Sequence, residues 1–504
     1  MPPDRRKNGK NRTHTTSLGV QSRLNVIVWA HSDQAGGAEL ASVVARSFVE
    51  AGLPLDTVGI ACPGPWLETV VGFFRNEPIQ VASRNFIETE ESLRLAKGTN
   101  GRVDAEATYN LLQKAPFRQA ASGSFQNLDR FILRQVALIR GRTHKNTLII
   151  SCGEPVAVKV AKQLGLKCVI ITDHLLTATV RWVLQHGGRF DRKMADLLTR
   201  FEDWDRMADE AFLSPAEFGG TDYDSYLAHG SIHCNYVGGL FYEPLSKAAL
   251  EANPFYDRLR RSAREKQVVF VFGGGGPVWL GVYKKLHDEA RTAQLKYDCV
   301  LLVPTVVGDG HALRRKKDGS GTYLYDLYID GRRMQLADPG RLMYWYAGCH
   351  LFVGRGGLAA QQIFATMMSD IETAPEMLFI EEPGHPQIEH ERQSLYNLGF
   401  VETRTLDRFM DRPLEVINSV LDNIKPNETR LRVQARYGAR MLTNVARALV
   451  HSYKPVAFQG SQDARTGGPP DQRVSERPNT GLQPTGAPGR VRAARKVTRR
   501  RARG

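Results

Sequence analysis

No apolar run in this chain of 504 residues approaches the roughly 20 needed to cross a bilayer. The opening stretch MPPDRRKNGKNRTHTT also lacks the apolar segment of a secretory signal. The expectation is a cytoplasmic protein, at most peripheral at a membrane. Cysteine is sparse: six residues, at 62, 152, 168, 234, 299 and 349, with no CxxC spacing. That scatter favours a reducing cytoplasm over a disulfide framework, with several of the thiols sitting in apolar runs as small hydrophobes. His385 and His390 find no third ligand at a convincing spacing, so no metal site and no cofactor is expected.

Acid is what the two ends lack. Residues 1–24 hold six Lys/Arg and one acid, and residues 460–504 hold eleven and three, so of the net charge of +15 only +2 belongs to the body between them. The Pro-, Gly-, Gln- and Arg-rich tail cannot bury a core and reads as disordered. Its Arg clusters suit peripheral contact with anionic lipid at about 1 kcal/mol per charge. The alternative is a solvated extension with no dedicated partner. The basic run Arg314–Lys317 adjoins DGSG and reads as an exposed hairpin tip, so nucleic acid is not an expected partner of the body.

What is present is repeated alternation of apolar runs with amphipathic stretches. With 42% apolar residues, the length suffices for two to three domains. LNVIVWAHSDQAGGAELASVVARSFVEAG reads as strand, Gly-containing loop and helix. Strands follow at Asp56–Ala61, Thr147–Cys152 and Cys168–Thr172, with a helix at Pro155–Leu164. KQVVFVFGGGGPVWLGVYKKL repeats strand, Gly loop and helix in the second half, followed by DCVLLVP and CHLFVG. A polar insert from Gly308 to Asp338 lies between these last two and reads as a hairpin beside a cleft. The pattern predicts an α/β protein of two Rossmann-like domains with parallel sheets. The expected bounds are a basic N-terminus at 1–24, a first domain at 25–242, a linker at 243–266, a second domain at 267–425, a C-terminal helix at 426–452 and a tail at 453–504.

The chemistry concentrates in the second half. Only glycine lets backbone N–H groups come close to a phosphate, and Gly273–Gly276 stand directly after an apolar strand and before a helix. The run matches neither GxGxxG nor GxxxxGK[ST], which argues against a dinucleotide or ATP loop of those types. Arg355, Gly356 and Gly357 fall at a second strand-to-helix turn, where unpaired N–H groups attract anions. One strand later, PGHPQIEHERQ places Gln387, Glu389 and Glu391 in a polar loop at the same sheet edge.

These residues resemble the donor half of GT-B glycosyltransferases, in the group of the lipid-linked N-acetylglucosaminyltransferase of peptidoglycan synthesis and the monogalactosyldiacylglycerol synthases. The resemblance implies two Rossmann-like domains facing across a cleft, the first binding the acceptor and the second a nucleotide sugar, with the last helix crossing back to brace the first domain. It implies inverting, metal-independent sugar transfer from a UDP-sugar to an acceptor that the sequence does not name, lipid-linked or a natural product. Donor contacts would come from Gly274, Gly275, Gly276, Arg355, Gly356, Gly357, Gln362, Gln387 and Glu391. Gln362 stands near the family's ribose-binding Glu, allowing a one-residue gap; it keeps a hydrogen-bond acceptor and loses the charge.

In such a reaction a base must accept the acceptor's proton. His31 and Asp33, beside Gly36 and Gly37 of the acceptor-side loop, are the first candidates. The peptidoglycan enzyme has a His directly after the glycine pair, whereas this chain has Ala38. Asp173 and His174, with Trp182 downstream, resemble the Val-Thr-Asp segment of the galactolipid synthases. Glu154, in SCGEP, is a third candidate. Each has a plainer alternative: Asp173 and Glu154 as helix caps, His31 as a hydrogen-bonded loop residue. The acidic triplet Asp222-Tyr223-Asp224 and the pair Glu381 and Glu389 imitate motifs of other transferases in the wrong setting. A GT-B sugar-nucleotide epimerase and a non-catalytic binding protein remain the other readings.

Overall fold

A computed structural model of the chain describes residues 23–32, 35–54, 57–67, 70, 85–98, 103–172, 174–213, 234–236, 266–274, 277–307, 314–316, 318–319, 324–329, 332–336, 345, 348–355, 375–381, 401–423 and 442–453. The expected tail apart from Tyr453, which ends a helix, all of the linker but Lys266, residues 424–441 and the Asp222–Asp224 triplet lie outside them.

The first half runs β1 (Asn25–Ala30), α1 (Ala35–Glu50), β2 (Val58–Pro63), β3 (Phe86–Thr89), α2 (Ala105–Leu112), α3 (Gln126–Arg140), β4 (Thr147–Cys152), α4 (Pro155–Gln163), β5 (Lys167–Thr172), α5 (Leu176–His186), α6 (Arg192–Asp205), β6 (Glu210–Leu213) and β7 (Cys234–Tyr236). The seven strands form one sheet in the order β3-β2-β1-β4-β5-β6-β7, every pairing parallel. VIVWA and TLIISC are continuous apolar runs because both of their faces are covered. Val26 and Val28 pack with α1 on one face. Ile27 and Trp29 pack on the other with α3 to α6.

The second half runs β8 (Gln267–Phe272), α7 (Pro277–Thr292), β9 (Tyr297–Pro304), β10 (Val306–Val307), β11 (Arg314–Arg315), β12 (Tyr325–Ile329), β13 (Arg332–Leu336), β14 (Leu351–Gly354), β15 (Glu376–Glu381), β16 (Val401–Thr405), α8 (Leu406–Asp411) and α9 (Pro413–Leu421). Its sheet has the order β13-β12-β9-β8-β14-β15-β16. Arg314 and Arg315 pair antiparallel with β10 rather than forming a loop tip. The polar insert also supplies the β12–β13 hairpin, which pairs antiparallel with the free edge of β9. α7 and α9 cover the face presenting Val269, Val271, Leu351 and Val353.

The last described helix, α10 (Leu442–Tyr453), returns to the first half. Leu442, Ala446, Leu449 and Val450 join the core that α1 makes with the first sheet. The Tyr453 hydroxyl donates to Glu210 (3.3 Å), and Lys167 lies 4.8 Å over the Tyr453 ring. Cys62, Cys152, Cys168, Cys299 and Cys349 are buried thiols outside any disulfide; burial alone pushes the Cys62 thiol up to about 12. Among the described residues no helix is long and apolar enough to cross a membrane.

Candidate functional site

Each sheet reverses its strand order once, between β1 and β4 in the first and between β8 and β14 in the second. In open α/β sheets the crevice beyond the carboxyl ends of the strands at such a point binds ligands. The described candidate residues gather there. Asp33, Asp173, Gly275, Gly276, Gly356, Gly357, Gln362, Gln387 and Glu391 lie outside the described residues.

In the first sheet the register pairs Ala30 with Cys152, so Ser32 and Glu154, each two residues further on, leave the sheet side by side. The Ser32 hydroxyl donates to Glu154 Oε2 (3.4 Å) and accepts from the Ser92 backbone N–H (2.9 Å), while the Ser92 hydroxyl donates to Glu154 Oε1 (2.6 Å). Glu154 is fully buried. It is also the N-cap of α4, accepting from Val156 N (3.2 Å) with Pro155 in the first turn. Its carboxylate therefore caps a helix and at the same time fastens the turn that carries His31.

His31 itself is 2% exposed and meets His174 edge to face, the ring centroids 5.2 Å apart. Gly36 and Gly37 fall in the first turn of α1. A Cβ on Gly37 would lie 2.7 Å from three atoms of the His31 ring. Glycine costs a helix roughly 0.5–1 kcal/mol relative to alanine, and here it makes room for the imidazole. Gly153 is constrained twice over, since its φ is +79° and a Cβ would fall 2.6 Å from the His174 carbonyl oxygen. Gly153→Ala is expected to destabilise the fold by about 2 kcal/mol, read as a lower urea midpoint with an unchanged slope.

Burial raises the Glu154 carboxyl to about 7, against the opposing hydrogen bonds from Ser92, Val156 and Ser32. Asp205, at the end of α6, is 2% exposed and is also held well above the ordinary carboxylate range. Burial is the main cause; the neighbouring Thr177 side chain opposes it and the charge on Glu154 adds to it. A carboxyl whose folded value exceeds its unfolded one binds its proton more tightly in the folded protein. Its contribution is complete below pH 4.5 and is lost as pH rises through about 7. Wild-type stability is thus expected to fall by about 3 kcal/mol from this group between pH 5 and 8. Glu154→Gln should remove that part of the slope, as urea denaturation at the two pH values would record. Nothing local in the sequence marks Ser32, Ser92 or Asp205 as members of this group; the strand register brings them together.

In the second sheet Phe272 pairs with Gly354, so the glycine turn after β8 and Arg355 after β14 emerge together. Gly274 has φ +89°, and a Cβ there would stand 3.8 Å from Arg355 Nη2. The turn is held from below by α7. Gly273 N–H donates to the Tyr283 hydroxyl (2.9 Å), which donates in turn to the Gly274 carbonyl (3.1 Å). Trp279 packs so tightly on Gly273 that a Cβ would fall 1.9 Å from its indole. Glycine backbone, the amino end of a 16-residue helix and a guanidinium thus converge at one place, an arrangement suited to a phosphate or diphosphate. Tyr283 is the residue that motif reading missed; its place two turns into the helix gives no sign that it fastens the loop.

No protein-family model matches this sequence, and no curated protein matches it. Among solved structures, the glycotransferase of kitacinnamycin superposes with a TM-score of 0.51 at 12% identity, over 86% of this chain and 100% of that one. The glycosyltransferase SnogD from Streptomyces nogalater (TM-score 0.47, 14% identity, 86% and 99%) and Acinetobacter baumannii MurG (0.42, 12%, 85% and 99%) are also similar. At such identities the similarity is one of fold. With its two parallel-rich sheets, each reversing order beneath a glycine turn, the chain has the two-domain GT-B fold.

Proposed function

We propose that the chain is a glycosyltransferase that moves a sugar from a nucleotide diphospho-sugar, with uridine as the base, to an acceptor hydroxyl with inversion. The observation that carries this reading is the meeting of Gly274 and Arg355 at the switch point of the second sheet, in front of α7. The uridine base and the inverting course rest on the resemblance seen in the sequence. The first domain, 25–242, takes the acceptor and the second, 267–425, the donor.

As the acceptor oxygen bonds to the anomeric carbon, the bond from that carbon to the diphosphate oxygen breaks and the electron pair leaves with the diphosphate. Negative charge therefore grows beside the glycine turn and Arg355, where fixed N–H dipoles and a guanidinium stabilise the transition state most. His31 accepts the acceptor's proton. Glu154 acts as a positioning residue, because it reaches the reaction only through Ser32 and the turn that holds His31. The leaving group is neutralised by protein groups, so EDTA is expected to leave the rate unchanged.

Thermal denaturation with nucleotides and nucleotide sugars tests the donor site. At 100 times its dissociation constant a ligand adds about 2.7 kcal/mol. UDP or a UDP-sugar is expected to produce that shift, and Arg355→Ala to weaken binding about 10- to 100-fold through loss of a charged hydrogen bond. No shift with any nucleotide would overturn the reading. A second reading, a donor-binding protein without turnover, is favoured by the near-complete burial of His31; its mark is a donor shift with no transfer and no donor hydrolysis.

A further inference from the structure

The antiparallel strand β12 widens the second sheet beyond the reach of α7, and a cavity of about 360 Å³ opens where the helix cover ends. Its walls come from the last two turns of α7, the start of β9 and Tyr328 of β12. Leu295, Cys299 and Leu301 supply apolar lining, together with the rings of Tyr297 and Tyr328. His287 meets Tyr328 edge to face at 5.1 Å. Among the described residues lining the cavity, Lys266 and Arg291 are cations and none is a carboxylate. Acids stand beside the lining: Asp298 lies 3.7 Å from Lys266, Asp288 lies 3.4 Å from His287, and Glu289, paired with Lys285 at 2.9 Å, acts on Tyr297 through its charge. The Tyr297 hydroxyl is buried with no hydrogen-bond partner among the described residues.

The cavity is separate from the donor site. Lys266 precedes β8, Tyr297 opens β9 and Arg291 lies in the last turn of α7, so the cavity is at the amino end of the strands, whereas Gly274 and Arg355 follow their carboxyl ends. Its volume falls within the range of small-molecule sites, which combine apolar walls with a few polar groups. We propose that this cavity binds a small organic anion with an apolar aromatic body. The body would rest on Leu295, Leu301 and the two tyrosine rings, and the charge would sit at the Lys266 and Arg291 rim.

Fluorescence titration with 8-anilinonaphthalene-1-sulfonate as the anionic probe and neutral N-phenyl-1-naphthylamine as its control tests the assignment. Arg291 and Ala293 are exposed, so substitutions there leave the core intact; an unchanged melting temperature checks this. Saturable binding of the sulfonate at one site is expected, indifferent to UDP. Arg291→Gln should weaken the sulfonate about fivefold and leave the neutral probe unchanged, and Ala293→Trp should abolish both by filling the mouth. Binding that does not saturate, is equal in Ala293→Trp, or is displaced by UDP would overturn the proposal. Because the readout is binding, it stands or falls independently of the transferase reading.

Discussion

Replacement of His31 by alanine is expected to lower kcat by about 10²- to 10⁴-fold, the range for losing a general base, while UDP-induced stabilisation persists. The separation follows from the fold: His31 leaves β1 in the first sheet, and the glycine turn and Arg355 belong to the second. The ring is held by contact with His174 at 5.2 Å, by the absence of a side chain at Gly37, and by the Ser32–Glu154 hydrogen bond beside it. A purely structural histidine would lose stability and turnover together. A catalytic one loses turnover also in His31→Gln, which fills most of the buried site and so costs less stability than alanine. Gly37→Ala gives a second view, since it pushes the imidazole aside without deleting it; it should depress kcat with little change in KM for the donor. Full activity in His31→Ala would shift the base to another residue and leave donor binding untouched.

Gly273→Ala is expected to have the largest effect in the second half. Its Cβ would lie between 1.9 and 2.3 Å from three atoms of the Trp279 indole, which is 1% exposed and has no free space to enter. Backbone or indole must move, and overpacking of a close-packed core costs about 3 kcal/mol. The same movement pulls the turn from the Tyr283 hydroxyl and opens two hydrogen bonds, of 2.9 and 3.1 Å. The variant should therefore show a lower melting temperature in the absence of ligand and no further shift with UDP. Tyr283→Phe separates the two losses, because it keeps the packing and removes only the hydrogen bonds; a smaller stability loss with weakened UDP binding is expected. If Gly273→Ala kept the full UDP shift, the glycine turn would not be the phosphate site.

The two strand–glycine–helix turns were legible in the sequence because their signals are local. An apolar run, a glycine run and an amphipathic stretch follow one another within 30 residues in both halves. The Glu154 cap was legible too, since a carboxylate directly before Pro155 is a short-range pattern. Strand β3 was not, for FIET is a four-residue edge segment without a run of apolar residues. The polar insert announced a hairpin, but its composition could not say which edge would receive it; β9 did, because it had an unpaired edge. Pro413 separates α8 from α9, since it starts a new helix rather than continuing the old one.

By itself the sequence determined an α/β body with near-neutral charge between basic ends, the strand–glycine–helix unit that opens each half, and which glycines and histidines stand at strand ends. Those properties depend on residues within a few turns of one another. Only the tertiary structure decided that Ser92 and Ser32 close on Glu154, that Gly274 faces Arg355 across 81 positions, and that Tyr283 fastens the glycine turn. Parallel strand register and the burial of both sheet faces impose those meetings. They act between segments far apart in the chain, where neighbouring residues carry no record of the partner.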